Sequence, residues 1–179
     1  MFLSQSKLME VLFALWPIGD NIFGFDATDA AKSLNAAFRP AIESNIPWAA
    51  VLGNHDQDST LSREGVMKHV VGLKNTLSQV NPAEAHIIDG FGNYNLEIGG
   101  VKGSRFENKS ALNLYFLDSG DYSTVPVIPG YGWIKPSQQL WFQRTSAKLR
   151  VIAPLFYTVE VIWRSLYDLF PSFISKKNH

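Results

Sequence analysis

In the first third of the chain, two short apolar runs lie on either side of a segment whose apolar residues recur with the period of a helix. Residues 11–15 form a short apolar run rich in strand-forming side chains, and a polar loop follows it. Residues 26–44 begin with capping side chains and then place apolar residues at helical spacing, which predicts a helix bent at Pro40. Residues 48–52 form a second apolar run that ends at Gly53. The order predicted is therefore strand, polar loop, helix, strand, polar loop.

This order determines where the two polar loops lie. A strand–helix–strand unit favours parallel strands joined by a right-handed crossover, and the carboxyl ends of such strands lie at the same edge of the sheet. Asp20 follows the first predicted strand and Asn54 follows the second. We therefore expect Asp20 and Asn54 to meet in one crevice.

The rest of the chain up to residue 149 continues the mixed pattern. Capping and periodicity predict helices from Ser62 to about Leu73 and from Pro136 to 149. Two short alternating segments, 86–88 and 93–98, surround a glycine-rich turn and predict a hairpin, while 111–117 predicts a buried strand. The long loop 118–135 has the length of loops that lie over functional sites.

The character of the chain changes after Arg150. Residues 151–170 are mostly apolar, but Glu160, Arg164 and Asp168 recur every four residues, which predicts an amphipathic helix too polar to span a membrane. Such a helix either packs on the domain or offers an apolar face to a partner. The predicted organisation is a main domain, 1–150, and a divergent helical tail, 151–179.

Composition excludes several classes of protein. A chain of 179 residues with 46% hydrophobic residues builds one ordinary globular core. Sixteen basic and sixteen acidic residues give no net charge, so the basic surface of a dedicated nucleic-acid binder is not expected. Without cysteine there are no disulfides or thiolate ligands. The N-terminus does not have the pattern of a signal peptide, which leaves cytoplasmic and secreted locations both open.

The candidate chemistry lies in the two polar loops. Asp20, Asn54, His55 and Asp56 form a mixed oxygen and nitrogen set that suits a hard or borderline divalent metal. The imidazole of His55 could donate a proton or contact a phosphate, with Asp56 fixing its tautomer. The alternative is that Asn-His-Asp is an ordinary turn, and the convergence of the two loops favours a site instead.

These residues resemble a known family. Gly19-Asp20 and, after a helix, Gly53-Asn54-His55-Asp56 resemble the second and third motifs of the calcineurin-like metallophosphoesterases. Over roughly residues 18 to 149 the chain resembles more closely a plant group, the purple acid phosphatase-like proteins, many of which are called probable inactive purple acid phosphatases. The resemblance implies an α/β fold of two packed mixed sheets flanked by helices, present here in incomplete form.

The resemblance also implies residue roles and a cofactor. The family uses a dinuclear centre of the iron, zinc or manganese type, at which a metal-bound water attacks a phosphate ester. Asp20 would bridge the two metals and Asn54 would bind the second. His55 would contact the phosphate or protonate the leaving oxygen, and Asp56 would orient His55.

Several features of the family pattern are missing. Residues 1–18 contain neither the aspartate nor the histidine of the first motif, and the later histidines of the family have no counterpart. The tyrosine that gives purple enzymes their iron–phenolate bond would fall at Phe23. His69 and His86 have the sequence context of ordinary surface or half-buried residues. We therefore expect weak or absent metal binding and impaired catalysis.

Three interpretations of the function remain open. The first is a metallophosphoesterase domain with a phosphate ester as its substrate, and the second is a non-catalytic remnant that acts as a binding or regulatory module. These two are compatible, since the first concerns ancestry and the second concerns activity. The third, an unrelated binding domain, is the least favoured. The family pattern stops near residues 18 and 149, as expected of a phosphoesterase truncated at both ends by a gene model or by alternative splicing.

Overall fold

The computed structural model describes residues 19–57, 59–83, 88–100, 102–103, 107 and 109–149. These residues form helices α1 (Ala30–Glu43), α2 (Arg63–Val71) and α3 (Pro136–Lys148), and strands β1 (Tyr94–Gly99) and β2 (Ser110–Phe116). A single 3-10 turn at Gly24–Asp26 precedes α1. The mixture of helix and strand confirms the predicted α/β class.

Side-chain caps determine where the first two helices begin. Asp29 accepts a hydrogen bond from the Lys32 amide at 3.0 Å, so α1 starts at Ala30, directly after the capping residues that the sequence places from Asp26 on. Ser62 caps α2 as predicted and accepts from the Gly65 amide at 3.1 Å. Pro40 lies inside α1, where the sequence placed it.

The strand predicted at residues 48–52 is not a regular strand in the described structure. These residues are buried as expected, but Trp48 makes only an isolated parallel bridge to Thr76. The Trp48 indole donates to the Lys74 carbonyl at 3.0 Å, and its ring stacks on Phe38 of α1 at 4.7 Å. This segment is therefore held by its side chains and single bridges. Residues 11–15, its predicted parallel neighbour, lie outside the described residues.

Strand β1 pairs with β2 in an antiparallel ladder that places Tyr94 opposite Phe116. The hairpin partner predicted for this strand was 86–88, of which only Ile88 is described. The rings of Tyr94 and Phe116 stack at 4.4 Å, which is the cross-strand contact expected to stabilise such a pair. In the described residues this is the one sheet, so the two packed sheets that the resemblance implied are present only in part.

One hydrophobic core joins the elements. It contains buried side chains from α1, from the 48–52 segment, from α2 and from both strands: Leu34, Phe38, Trp48, Leu52, Val66, Met67, Val70, Tyr94, Ile98 and Leu114. The Tyr94 hydroxyl donates to the Ala50 carbonyl at 2.6 Å and so ties β1 to the 48–52 segment. None of the helices in the described ranges is long and apolar enough to cross a membrane. The predicted tail, 151–179, falls outside them.

Candidate functional site

The two polar loops meet, as the sequence predicted. We call residues 19–20 the first loop and residues 53–56 the second loop. A Cβ atom added to Gly53 would lie 2.1 Å from the Asp20 amide nitrogen, so only glycine allows the loops to approach this closely. Asp20 adopts a positive φ of 48° and accepts a hydrogen bond from the His55 amide through Oδ1 at 2.9 Å. Asp20 and the Asn54–His55 segment are therefore in direct contact.

Asp56 is the residue that holds the loops together. Its carboxylate is fully buried and accepts from the Asn21 side chain at 2.9 Å, the Ile22 amide at 3.0 Å and the Gly53 amide at 2.7 Å. Burial raises the pKa of Asp56 above its ordinary value, although these three donors and the charge of Arg63 act in the opposite direction. Asn21 extends the link, since its amide also donates to the Val51 carbonyl at 3.0 Å.

Asp56 and the His55 imidazole make different contacts in the described structure. Both oxygens of Asp56 accept from main-chain amides and Asn21. The His55 ring packs at a steep angle to Phe23, at 5.0 Å, and to Tyr131, at 5.9 Å. The His55 main chain is held by Asp20 and by a bond from the Gly24 amide to the His55 carbonyl at 2.8 Å. Orientation of His55 by Asp56, which the resemblance implies, stays a prediction.

The possible metal ligands of the two loops match only part of the dinuclear centre that the resemblance implies. Asn54 fits a ligand role, because its buried side-chain nitrogen has no hydrogen-bond partner in the described structure. A 180° flip of the side-chain amide would place its oxygen at the same position, where it could bind a metal. Asp20 fits in part, since one of its oxygens is already occupied by the His55 amide. Across the described residues, no group of three or more His, Cys, Asp or Glu side chains could hold a metal ion. Two ions need about four to six ligands each, so this donor set does not fit a dinuclear centre.

The other histidines do not join the site in the described residues. His69 lies on α2, where its Nε2 pairs with the Asn35 side chain of α1 at 2.9 Å. This is the half-buried, ordinary position that the sequence predicted. His86 and His179 fall outside the described residues.

Sequence reasoning missed a buried ion pair behind the site. Asp118, the first residue of the long loop 118–135, is buried and accepts from the Arg63 Nε at 3.0 Å. It also accepts from the Phe91 amide at 2.7 Å and the Gly120 amide at 2.9 Å. The pair joins the start of α2 to the loop after β2. Its only sequence signal was a carboxylate at a strand end, because 55 residues separate the two partners.

The long loop 118–135 lies over the site, as its length predicted. Tyr131 brings its ring against His55, and Tyr122 stacks on Tyr131 at 5.4 Å. The sequence pointed to the loop but not to these tyrosines. An aromatic residue in a long loop near a candidate site is the signal that would have found them.

Comparison with known proteins finds relatives whose names include purple acid phosphatase or phosphatase. The chain is 69% identical over 133 residues to a protein of Arabidopsis thaliana named "Probable inactive purple acid phosphatase 29", a match that covers 74% of this chain and 34% of the relative. It is 53% identical over 137 residues to "Probable inactive purple acid phosphatase 14" of the same plant, with the same two coverages. A relative in Saccharomyces cerevisiae, "Phosphatase DCR2", is 39% identical over 127 residues, covering 67% of this chain and 21% of that protein. No family model and no solved structure matches the chain.

These matches show the family that the loop motifs predicted. The chain belongs, over the matched residues, to the purple acid phosphatase-like proteins, and its helices and strands form part of an α/β phosphoesterase fold. It spans about a third of the length of the plant relatives that it matches. The names of those two plant relatives call them probable inactive purple acid phosphatases.

Proposed function

We propose that this chain is a metallophosphoesterase-type domain that recognises a phosphate ester but whose own hydrolytic activity is impaired. One observation carries the proposal: among the residues that the structure describes, the two loops supply Asn54 and part of Asp20 from the donor set of a dinuclear centre. The carboxylate of Asp56 adds nothing to that set, since its oxygens are occupied by loop amides and Asn21. Too few donors remain for tight binding of two divalent ions.

His55 is the residue best placed for the phosphate. Its ring is half-buried between Phe23 and Tyr131, and its main chain is fixed by hydrogen bonds at both ends. A fixed imidazole in a crevice can donate a hydrogen bond to a phosphate oxygen or a proton to a leaving group. This placement supports ester recognition even where hydrolysis is impaired.

Hydrolysis of 4-nitrophenyl phosphate tests the proposal. We expect the chain, incubated separately with manganese, zinc and iron, to release no more nitrophenol than the His55→Ala variant does under the same conditions. Turnover that requires one of these metals and disappears in His55→Ala would overturn the proposal of impaired activity.

A second candidate function is a non-catalytic binding module. The observation that favours it is the exposed aromatic surface beside His55, where Phe23 and Tyr131 are each about half exposed, at 50% and 53%. Large exposed aromatic side chains that cluster on a surface are typical of binding sites. A partner for the predicted apolar helix after Arg150 belongs to the same candidate function and is a proposal only.

A further inference from the structure

In the part of the chain that the structure describes, helix α3 is covered on one side only. Of its 13 residues only Gln138 is buried, whereas α1 buries three side chains and α2 buries four. The rings of Trp141 and Phe142 meet the ring of Tyr115 on β2, with centroids 6.4 and 4.9 Å apart. Leu140, directly before them, is 44% exposed. The helix therefore contacts the sheet with one side and leaves an apolar residue on the other.

The uncovered side of α3 is a continuous stripe along the helix. Its four residues are all exposed and lie at positions i, i+3, i+4 and i+7: Leu140, Gln143, Arg144 and Ala147. Residues at this spacing share one face of a helix, and we call them the α3 stripe. The stripe has an apolar residue at each end and a positive charge between them. The sequence of α3 contains Arg144 and Lys148 and no acidic residue, so an acidic partner suits this face.

The chain leaves α3 at a fixed point. The Leu149 amide donates to the Thr145 carbonyl at 3.0 Å. The Leu149 carbonyl accepts from the side chain of the buried Asn113 at 3.0 Å. Asn113 and Tyr115 are two residues apart on β2 and so lie on the same face of the sheet. The segment that follows Leu149 therefore starts beside α3.

The sequence after Leu149 predicts a helix with a stripe of the same spacing. Pro154 suits the first position of a helix, which leaves 149–153 as the connection. Connections of this length are common between antiparallel helices. The spacing i, i+3, i+4 and i+7 recurs in four residues, which we call the tail stripe: Phe156, Val159, Glu160 and Trp163.

Antiparallel packing brings the two stripes into register. Residues equally far from the connection face each other in such a hairpin. The facing pairs are Leu140 with Trp163, Gln143 with Val159, Arg144 with Glu160, and Ala147 with Phe156. Opposite charges meet at Arg144, and the large ring of Phe156 meets the small side chain of Ala147, which is how well-packed helix faces interdigitate.

We propose that the tail folds back as a helix over residues 154–170 and docks the tail stripe on the α3 stripe of the same chain. The short connection favours the chain's own tail over a second copy, because it gives the tail an effective concentration on the order of millimolar at α3. The inference is independent of ester recognition at His55. It assigns the apolar face after Arg150 to α3, in competition with a protein partner for that face.

Disulfide trapping in the full chain tests the register. The chain contains no cysteine, so two introduced cysteines have only each other as intramolecular partners. The test variant carries Gln143→Cys and Val159→Cys, which leaves the other three facing pairs intact. The matched control carries Gln143→Cys and Thr158→Cys, because residue 158 lies on the far side of the predicted helix at nearly the same distance from the connection. We expect the test pair to oxidise within one chain at least roughly tenfold faster than the control pair, followed by mass spectrometry.

A charge swap in the test variant separates docking from mere proximity. Adding Arg144→Glu places two acidic residues opposite each other and should slow oxidation about twofold to threefold, the effect of one exposed ion pair between helix faces. Adding Glu160→Arg as well restores opposite charges and should restore the rate. Loss of rate without recovery in the double swap would contradict the pairing of Arg144 with Glu160.

Hydrogen exchange on the unsubstituted chain gives a second measurement that needs no cysteine. Amides in 156–163 should exchange at least roughly tenfold more slowly than in an unstructured peptide, and Leu140→Asp should remove that protection. Equal oxidation of the test and control pairs, or exchange in 156–163 at the rate of an unstructured peptide, would overturn the proposal. Protection that survives Leu140→Asp would place the tail elsewhere, and disulfides formed between chains would put a second copy on α3. Either result would overturn it too.

Discussion

Asp56 holds two loops together with a buried carboxylate. The motif residues Asn54, His55 and Asp56 were recognisable in the sequence as a set with chemical potential. The sequence did not indicate that the oxygens of Asp56 face Asn21 and the Ile22 amide, because those partners lie 35 and 34 residues away along the chain. Asp56, for which the family resemblance implies a catalytic role, also joins the two loops through its hydrogen bonds. Its structural role can be tested separately, by measuring stability.

Replacing Asp56 with asparagine should destabilise the chain at neutral pH. An amide offers one acceptor oxygen, so its NH₂ group would face either the Ile22 amide or the donors at Gly53 and Asn21. A buried donor left without an acceptor costs about 1–3 kcal/mol. Urea unfolding should show a loss of this size for Asp56→Asn, whereas Asp26→Asn, at an exposed position in the 3-10 turn, should change the free energy of unfolding by less than about 0.5 kcal/mol. Equal effects of the two substitutions would contradict the structural role.

Because of the same carboxylate, the stability of the folded chain should depend on pH. Burial raises the pKa of Asp56, so the folded chain holds this proton more tightly than the unfolded chain does. This tighter proton binding stabilises the folded chain. The stabilisation is fully present below 3.8, the usual pKa of an aspartate, and it is lost as the pH rises through the raised pKa of Asp56. Asparagine does not titrate, so the stability difference between wild type and Asp56→Asn should be larger at about pH 3.5 than at about pH 7. A difference that grows with pH would mean that the folded-state pKa is lowered instead.

At the scale of elements, local signals predicted the helices but did not indicate that β1 pairs with β2. The helices α1, α2 and α3 were predictable because periodicity, Ser62 as a cap and Pro136 as a first residue all act within a few positions. The pairing of β1 with β2 was not predictable in the same way, since it depends on contacts between segments more than ten residues apart. The parallel pairing of 48–52 with 11–15 stays a prediction, because 11–15 lies outside the described residues.

The ion pair between Arg63 of α2 and Asp118 after β2 should contribute strongly to the connection between those elements. Removing one partner of a buried pair leaves an uncompensated charge, which costs about 3–5 kcal/mol. We expect Arg63→Met to lower the free energy of unfolding by an amount in this range. The matched control is Lys68→Met in the same helix, whose exposed pair with Glu64 should contribute less than about 1 kcal/mol. If the two variants were equally stable, the buried pair would not join the elements as described.

At the scale of the whole molecule, the sequence predicted where the site lies better than how its residues are used. The meeting of Asp20 with the second loop and the long loop above it both followed from element order and loop length. The ring contacts of His55 and the Arg63–Asp118 pair did not, because each joins segments that only tertiary packing brings together. The expectation of weak or absent metal binding came from the family motifs that have no counterpart in the chain, and it stays a prediction.

If the loops are held together by hydrogen bonds, the stability of the whole molecule should not depend on divalent metal. A ligand that binds the folded state stabilises it by RT ln(1 + [L]/Kd), so an ion whose Kd exceeds its concentration adds less than about 0.4 kcal/mol. We expect ~1 mM manganese or zinc to raise the melting temperature of the chain by no more than roughly 2 °C, and a chelator to leave it unchanged. Asp20→Asn should respond to the metals as the wild type does, whatever its own stability. A rise of several degrees that is absent in Asp20→Asn would instead identify Asp20 as a ligand in a working metal site, and both the donor count and the proposal of impaired activity would then have to be abandoned.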